Sequence, residues 1–215
     1  MKKHTIRIVG GDYRRTPIPV VNAQGLRPTP DRVRETLYNW LGHFWAGEFS
    51  DKHVLDLFAG TGALGFEAAS RGAAHVQMVE SNPEAVAALR ALRNKLGALQ
   101  VRVHAGDARQ LLKRLDDARF DLVLVDPPFG LGWIDTLWPA LPGVLSTNGL
   151  LYIEAEHPVE PPAGFEVLRQ SKAGNVHFQL LRFAATQKNV NNHASTTVAP
   201  SEGDPPQPTP TTDHA

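Results

Sequence analysis

Residues 54–69 read VLDLFAGTGALGFEAA, and the fold class follows from how this stretch is parsed. An apolar run ends at a carboxylate, Asp56, glycines follow at positions 60, 62 and 65, and an alanine-rich helical pattern begins at once. Strand, glycine turn and helix in that order form the first unit of an open parallel sheet, with the turn at the sheet's carboxyl edge. The unit then repeats. Strand candidates at 53–58, 75–80, 101–106, 120–125 and 149–156 alternate with helical segments at 63–71, 83–97, 108–115 and 134–145. Such alternation predicts an α/β fold with helices on both faces of a parallel sheet. The last two apolar runs, 165–171 and 175–183, are joined by Lys-Ala-Gly with no room for a helix, so an antiparallel hairpin is expected there.

Ahead of this body, RIVGGDYRRTPIPV (7–20) reads as two extended pieces around a Gly-Gly turn. In TPDRVRETLYNWLGHFW (29–45), Val33, Leu37, Trp40, Leu41 and Phe44 recur at helical spacing, with Thr29 or Asp31 available as the cap. From Thr186 onward the chain is rich in Thr, Pro and Asn and nearly lacks large apolar residues, which predicts a disordered tail. The expected organisation is therefore a basic extension with its helix (1–50), an α/β domain (51–185) and the tail (186–215).

Composition excludes several classes. No apolar run approaches the roughly 20 residues of a membrane span, and the amino terminus lacks the apolar segment of a signal peptide. With 0 cysteines there is neither a disulfide framework nor thiolate chemistry, and a reducing cytoplasm is the expected location. The 9 histidines lack metal-ligand spacing, so no metal is expected. The net charge of zero is unevenly distributed: residues 1–34 hold eight basic and two acidic side chains, a balance of +6. A basic arm on a slightly acidic body suggests a polyanionic partner.

Four successive strand ends carry acids: Asp56, Glu80, Asp107 and Asp126. In a parallel sheet all four fall on one edge. Gly60-x-Gly62-x-x-Gly65 taken literally is a dinucleotide fingerprint, and a nicotinamide-dependent oxidoreductase is the corresponding alternative. Asp56 beside the loop is poorly placed for a pyrophosphate. It suits a ligand bearing an ammonium and a sulfonium, as S-adenosylmethionine does. Glu80 can accept from ribose hydroxyls, and Asp107 can accept from an adenine amine or simply cap the next helix. After the strand FDLVLV, Asp126-Pro127-Pro128-Phe129 sets rigid backbone acceptors beside an aromatic face.

These features resemble class I S-adenosylmethionine-dependent methyltransferases, and DPPF resembles the signature of enzymes that methylate exocyclic or amide nitrogens. RIVGGDYR, LRPTPDRVRETLYNWL, DLFAGTGALGFEAASRGA and VDPPF, in this order and spacing, closely resemble the RsmD family over residues 6–183. The resemblance implies a Rossmann-like, seven-stranded, mostly parallel sheet with its last strand antiparallel, plus a small amino-terminal β-hairpin and helix extension. It also implies methylation of guanine N2 in 16S ribosomal RNA within an assembled small subunit. The implied cofactor contacts are Asp56, Phe58, Ala59, Gly60, Thr61, Gly62, Glu80, Ser81, Asp107 and Ala108, and the implied catalytic set is Asp126, Pro127, Pro128 and Phe129. Arg7, Arg14, Arg15, Arg27, Arg32 and Arg34 are the expected RNA contacts. The last two cations of that set lie in a helical first turn, where the macrodipole disfavours positive charge. A monomer is the default expectation. The same DPPF chemistry would serve DNA adenine N6 or a protein glutamine amide, and a non-catalytic assembly protein of this fold is a further alternative.

Overall fold

The computed structural model describes residues 5–20, 29–115 and 119–184, so Arg27 and the tail lie outside the described residues. A small antiparallel hairpin pairs β1 (Thr5–Arg7) with β2 (Pro17–Pro19), and α1 (Asp31–Phe44) follows. The α/β body runs β3 (His53–Asp56), α2 (Ala63–Ser70), β4 (His75–Glu80), α3 (Pro83–Leu96), β5 (Val101–Ala105), α4 (Ala108–Leu112) and β6 (Phe120–Val125). Two short helices, α5 (Trp133–Leu137) and α6 (Leu141–Val144), lead into β7 (Leu145–Ala155), β8 (Phe165–Ala173) and β9 (Val176–Phe183). The seven strands are ordered β5-β4-β3-β6-β7-β9-β8. Strands β3 to β7 pair in parallel, and β9 runs antiparallel to both of its neighbours, as expected from the sequence.

The period of two explains the continuous apolar runs. Leu122, Leu124, Leu150 and Tyr152 pack on one face with Val33, Leu37 and Leu41 of α1, Phe66 of α2 and Leu89 of α3. Val123, Val125, Leu151 and Ile153 pack on the other with Leu111, Leu137 and Leu141. Both faces are covered, so Leu122–Val125 of β6 and Leu150–Ile153 of β7 all bury their side chains, at about 1.5–3 kcal/mol for a large aliphatic one. Ile18 of β2 and Ile8 just past β1 belong to the first cluster, so the amino-terminal extension shares its core with the sheet.

Three local expectations change. The segment 134–145 is two helices rather than one, because Pro139 lies between them and cannot supply an amide to a continuous helix. Strand β7 begins at Leu145 instead of 149 and passes through Asn148 at φ 61°, with a shift of register against β6. Neither Thr29 nor Asp31 caps α1: Pro30 holds that position with no side-chain cap hydrogen bond. Thr29 turns its hydroxyl to Asp126 instead, and Asp31 sits inside the first turn against Arg34.

Candidate active site

A cavity of about 540 Å³ opens at the carboxyl edge of β5, β4, β3, β6 and β7. Asp56, Glu80, Asp107 and Asp126 all line it, as do Phe58, Ala59, Gly60, Thr61, Ser81, Ala108, Pro127, Pro128 and Phe129. Gly62 shapes the turn without lining the cavity. It is the residue before α2, in the left-handed region at φ 82°, and a Cβ there would lie 2.5 Å from Leu89 Cδ2 and 2.6 Å from Phe66 Cδ2. Gly65 serves helix–strand packing: a Cβ would come within 2.6 Å of Met78 Cε and 3.0 Å of Asp56 Oδ2. The glycine spacing therefore brings α2 down onto the sheet and turns its amino terminus toward the cavity.

Asp56 is 1% exposed. Its Oδ2 accepts the Gly65 amide at 3.1 Å, while Oδ1 has no hydrogen-bond partner among the described residues. Burial pushes its carboxyl up to about 7, and the charges of Asp126 and Glu80 add to the rise, against the opposing pull of the Gly65 and Phe58 amides. A buried carboxylate oxygen lacking a donor is costly unless a ligand supplies one. Glu80 accepts the Gly60 amide at 2.8 Å and the Asn82 amide at 2.7 Å, which ties the glycine turn to the end of β4. Asp107 caps α4 through the Arg109 and Gln110 amides and pairs with Arg109 at 3.2 Å. Hydrogen bonding from the Arg109 side chain holds its carboxyl below the usual range. Capping and cavity lining thus coexist at Asp107.

Beyond β6, Asp126 accepts the Thr29 hydroxyl at 3.1 Å. Pro127 is buried, whereas Pro128 and Phe129 are exposed, Phe129 to 36%. Among the further lining residues that the sequence pattern did not mark as site residues are Thr29, Trp133 and Glu154. Glu154 is 3% exposed and accepts the Tyr152 hydroxyl at 2.8 Å. It stands inside the apolar run of β7. Trp133 stacks edge-on against Phe58, centroids 5.2 Å apart, with the Arg109 guanidinium 4.4 Å above its ring. An aromatic just past a DPPF turn was the available signal.

Among the arginines, Arg7, Arg14, Arg15 and Arg32 are exposed around the hairpin and the start of α1. Arg7 lies 3.3 Å from Asp31. Arg34 is different and the expectation of an RNA contact is corrected: its side chain is fully buried and ion-paired with Asp31 and Glu67. Those two carboxylates offset the unfavourable helix dipole from inside the fold. No cluster of three or more metal-ligating side chains occurs among the described residues. None of their helices is long and apolar enough to cross a membrane.

Sheet order, glycine turn and acid-lined edge together define a Rossmann-like methyltransferase fold. The family described as conserved hypothetical protein 95 matches residues 6–182. The chain belongs to this family, the RsmD family. It is 39% identical over 182 residues to Ribosomal RNA small subunit methyltransferase D of Escherichia coli K12, covering 81% of this chain and 88% of the relative. The protein of that name from Haemophilus influenzae is 35% identical over 185 residues, with 83% and 94% covered. A solved structure from Escherichia coli superposes with a TM-score of 0.74 at 38% identity, covering 85% of this chain and 99% of its own.

Proposed function

We propose that this protein transfers a methyl group from S-adenosylmethionine to the exocyclic N2 of one guanine in 16S ribosomal RNA, acting as a monomer on the assembled small subunit in the cytoplasm. One observation carries this reading: Asp126-Pro127-Pro128-Phe129 shares a cavity with Asp56, the glycine turn and Glu80. Relatives named Ribosomal RNA small subunit methyltransferase D support the RNA class.

The cavity suits the cofactor on chemical grounds. Asp56 offers a buried oxygen lacking a donor to an ammonium group. Glu80, which accepts two amides, keeps lone pairs for ribose hydroxyls, and Asp107 Oδ2, which among the described residues accepts only from Arg109 Nη2, keeps one for an adenine amine, since a carboxylate has about four acceptor sites. When bound, S-adenosylmethionine supplies an electrophilic methyl group and leaves as a neutral thioether.

The protein's own part is orientation. A guanine amine is a weak nucleophile because its lone pair is delocalised into the ring. The Asp126 carboxylate and the Pro127 carbonyl accept its two hydrogens and draw the nitrogen out of plane, while Phe129 stacks on the base. Asp126 or water then takes the proton that the methylated amine loses. A base inside structured RNA must be extruded, at a few kcal/mol, and Arg7, Arg14, Arg15 and Arg32 are the exposed cations that hold the flanking phosphates.

Labelled methyl transfer to small subunits from cells lacking the gene, followed by nucleoside analysis, tests the proposal. A single N2-methylguanosine peak is the expected result. Transfer to DNA adenine or a protein amide, with none to the subunit, overturns it.

Asp56 adds a pH dependence. Its carboxyl half-titrates at about 7 without ligand, and a bound ammonium favours the ionised form, so binding below that pH releases a proton. By linkage, affinity for S-adenosylmethionine should rise between about pH 6 and pH 7.5. Calorimetric titration checks this; a flat profile, or an unchanged slope in Asp56→Asn, separates Asp56 from the ligand.

A further inference from the structure

A chain of hydrogen bonds runs from the amino-terminal hairpin to Asp126. Val9 and Gly10 donate their amides to Glu67 at 2.7 and 2.8 Å. Glu67 accepts from Arg34 Nη1 at 3.4 Å, and both side chains are fully buried. Arg34 Nε donates to the Thr29 carbonyl at 3.3 Å, and the Thr29 hydroxyl donates to Asp126 Oδ2 at 3.1 Å. Thr29 itself is only 5% exposed.

We propose that Thr29 is a positioning residue for methyl transfer: its buried hydroxyl fixes the plane of the Asp126 carboxylate, and the Arg34–Glu67 pair holds Thr29 in place. The inference rests on the role assigned above to Asp126. An aspartate's terminal torsion is broad, so the backbone after β6 sets where the carboxylate is but not how its plane is turned. A hydroxyl donating to a carboxylate is a directional, charge-assisted contact that restricts this freedom. Thr29 can serve as such a reference because it lacks freedom of its own. Its carbonyl is tied to Arg34, and Arg34 is locked between Asp31 and Glu67. Glu67 also anchors the loop after β1, so seating of the hairpin and orientation of the acceptor share one support.

The test compares Thr29→Val, which keeps shape and loses the hydroxyl, with Thr29→Ser, which keeps the hydroxyl, alongside Asp126→Ala. Thr29→Val is expected to lower kcat for subunit methylation by about 10- to 100-fold, the scale of a misplaced reacting group, with KM and Kd for S-adenosylmethionine within about twofold. Thr29→Ser should recover most of the rate. Thr29→Ala carries the comparison if the valine does not fold. Crystal structures of the variants give a readout independent of any substrate: one Asp126 conformer in Thr29→Ser, several or a rotated one in Thr29→Val. An unaltered carboxylate in Thr29→Val, or a parental kcat in Thr29→Val while Asp126→Ala is inactive, overturns the proposal. Full turnover by Asp126→Ala would instead strike at the role of Asp126 itself.

Discussion

Replacing Asp126 with alanine is expected to lower turnover by about two orders of magnitude or more while cofactor affinity stays within about twofold, the scale seen when an oriented polar group is lost. The carboxylate sits where β6 delivers the first residue beyond the sheet, beside a proline-stiffened turn and across from Thr29. Its contribution is directional. Alanine leaves the cavity and the stacking ring in place but removes one of two acceptors for the amine, so the nitrogen remains conjugated. Two effects on the cofactor oppose each other. Loss of the Asp126 charge weakens the general attraction for a cation, yet it also relieves Asp56, whose carboxyl that charge helps to push up. Single-turnover rates with small subunits, paired with calorimetric binding, separate chemistry from affinity. Turnover within tenfold of the parent would remove Asp126 from the reaction. Asp126→Asn keeps an acceptor and loses the charge, so an intermediate rate identifies orientation as the larger part.

Glu67→Ala should cost about 3–5 kcal/mol of stability, the range for stripping one partner from a buried ion pair. Glu67 is 0% exposed and accepts from the Val9 and Gly10 amides, Arg34 and Arg71. Its removal leaves the fully buried Arg34 guanidinium with Asp31 as its remaining carboxylate and deprives two backbone amides of their acceptor. Against a total of about 5–15 kcal/mol this is a large fraction, and chemical denaturation should show it as a much lower midpoint. Arg71→Ala is the comparison. That side chain is 22% exposed and reaches Glu67 from the rim of the cluster, so a far smaller loss is expected. Equal effects, or a loss below about 1 kcal/mol for Glu67→Ala, would mean that the cluster does not hold the hairpin as described.

Much of the candidate site was legible because a parallel sheet has a simple rule. Each strand runs in the same direction, so Asp56, Glu80, Asp107 and Asp126 had to share an edge once the strands were placed. The glycine spacing carried its own meaning for the same reason, since a left-handed turn and a close helix–strand contact require residues without a Cβ. Glu154 and Thr29 were not legible. Glu154 carries no sequence signal of its own, and its place beside the cavity depends on β7 lying next to β6. Thr29 looked like a helix cap. Its actual partner lies 97 residues away.

Arg34 shows the boundary between the two kinds of information most clearly. Its charge in a helical first turn runs against the macrodipole, and from the sequence an RNA phosphate is the expected partner. The compensation instead comes from Glu67, 33 residues on, in a helix whose alanine-rich pattern gave no hint of an ion pair. Periodicity, glycine placement and strand-end acids depend on near neighbours along the chain, so the order of strands and helices and the acid-lined edge could be read directly. Which buried side chains meet depends on how α1 and α2 pack over the sheet. Pairing across that interface is set by distances in space rather than spacing in sequence, and only the folded structure could join Glu67, Arg34, Thr29 and Asp126 into one support.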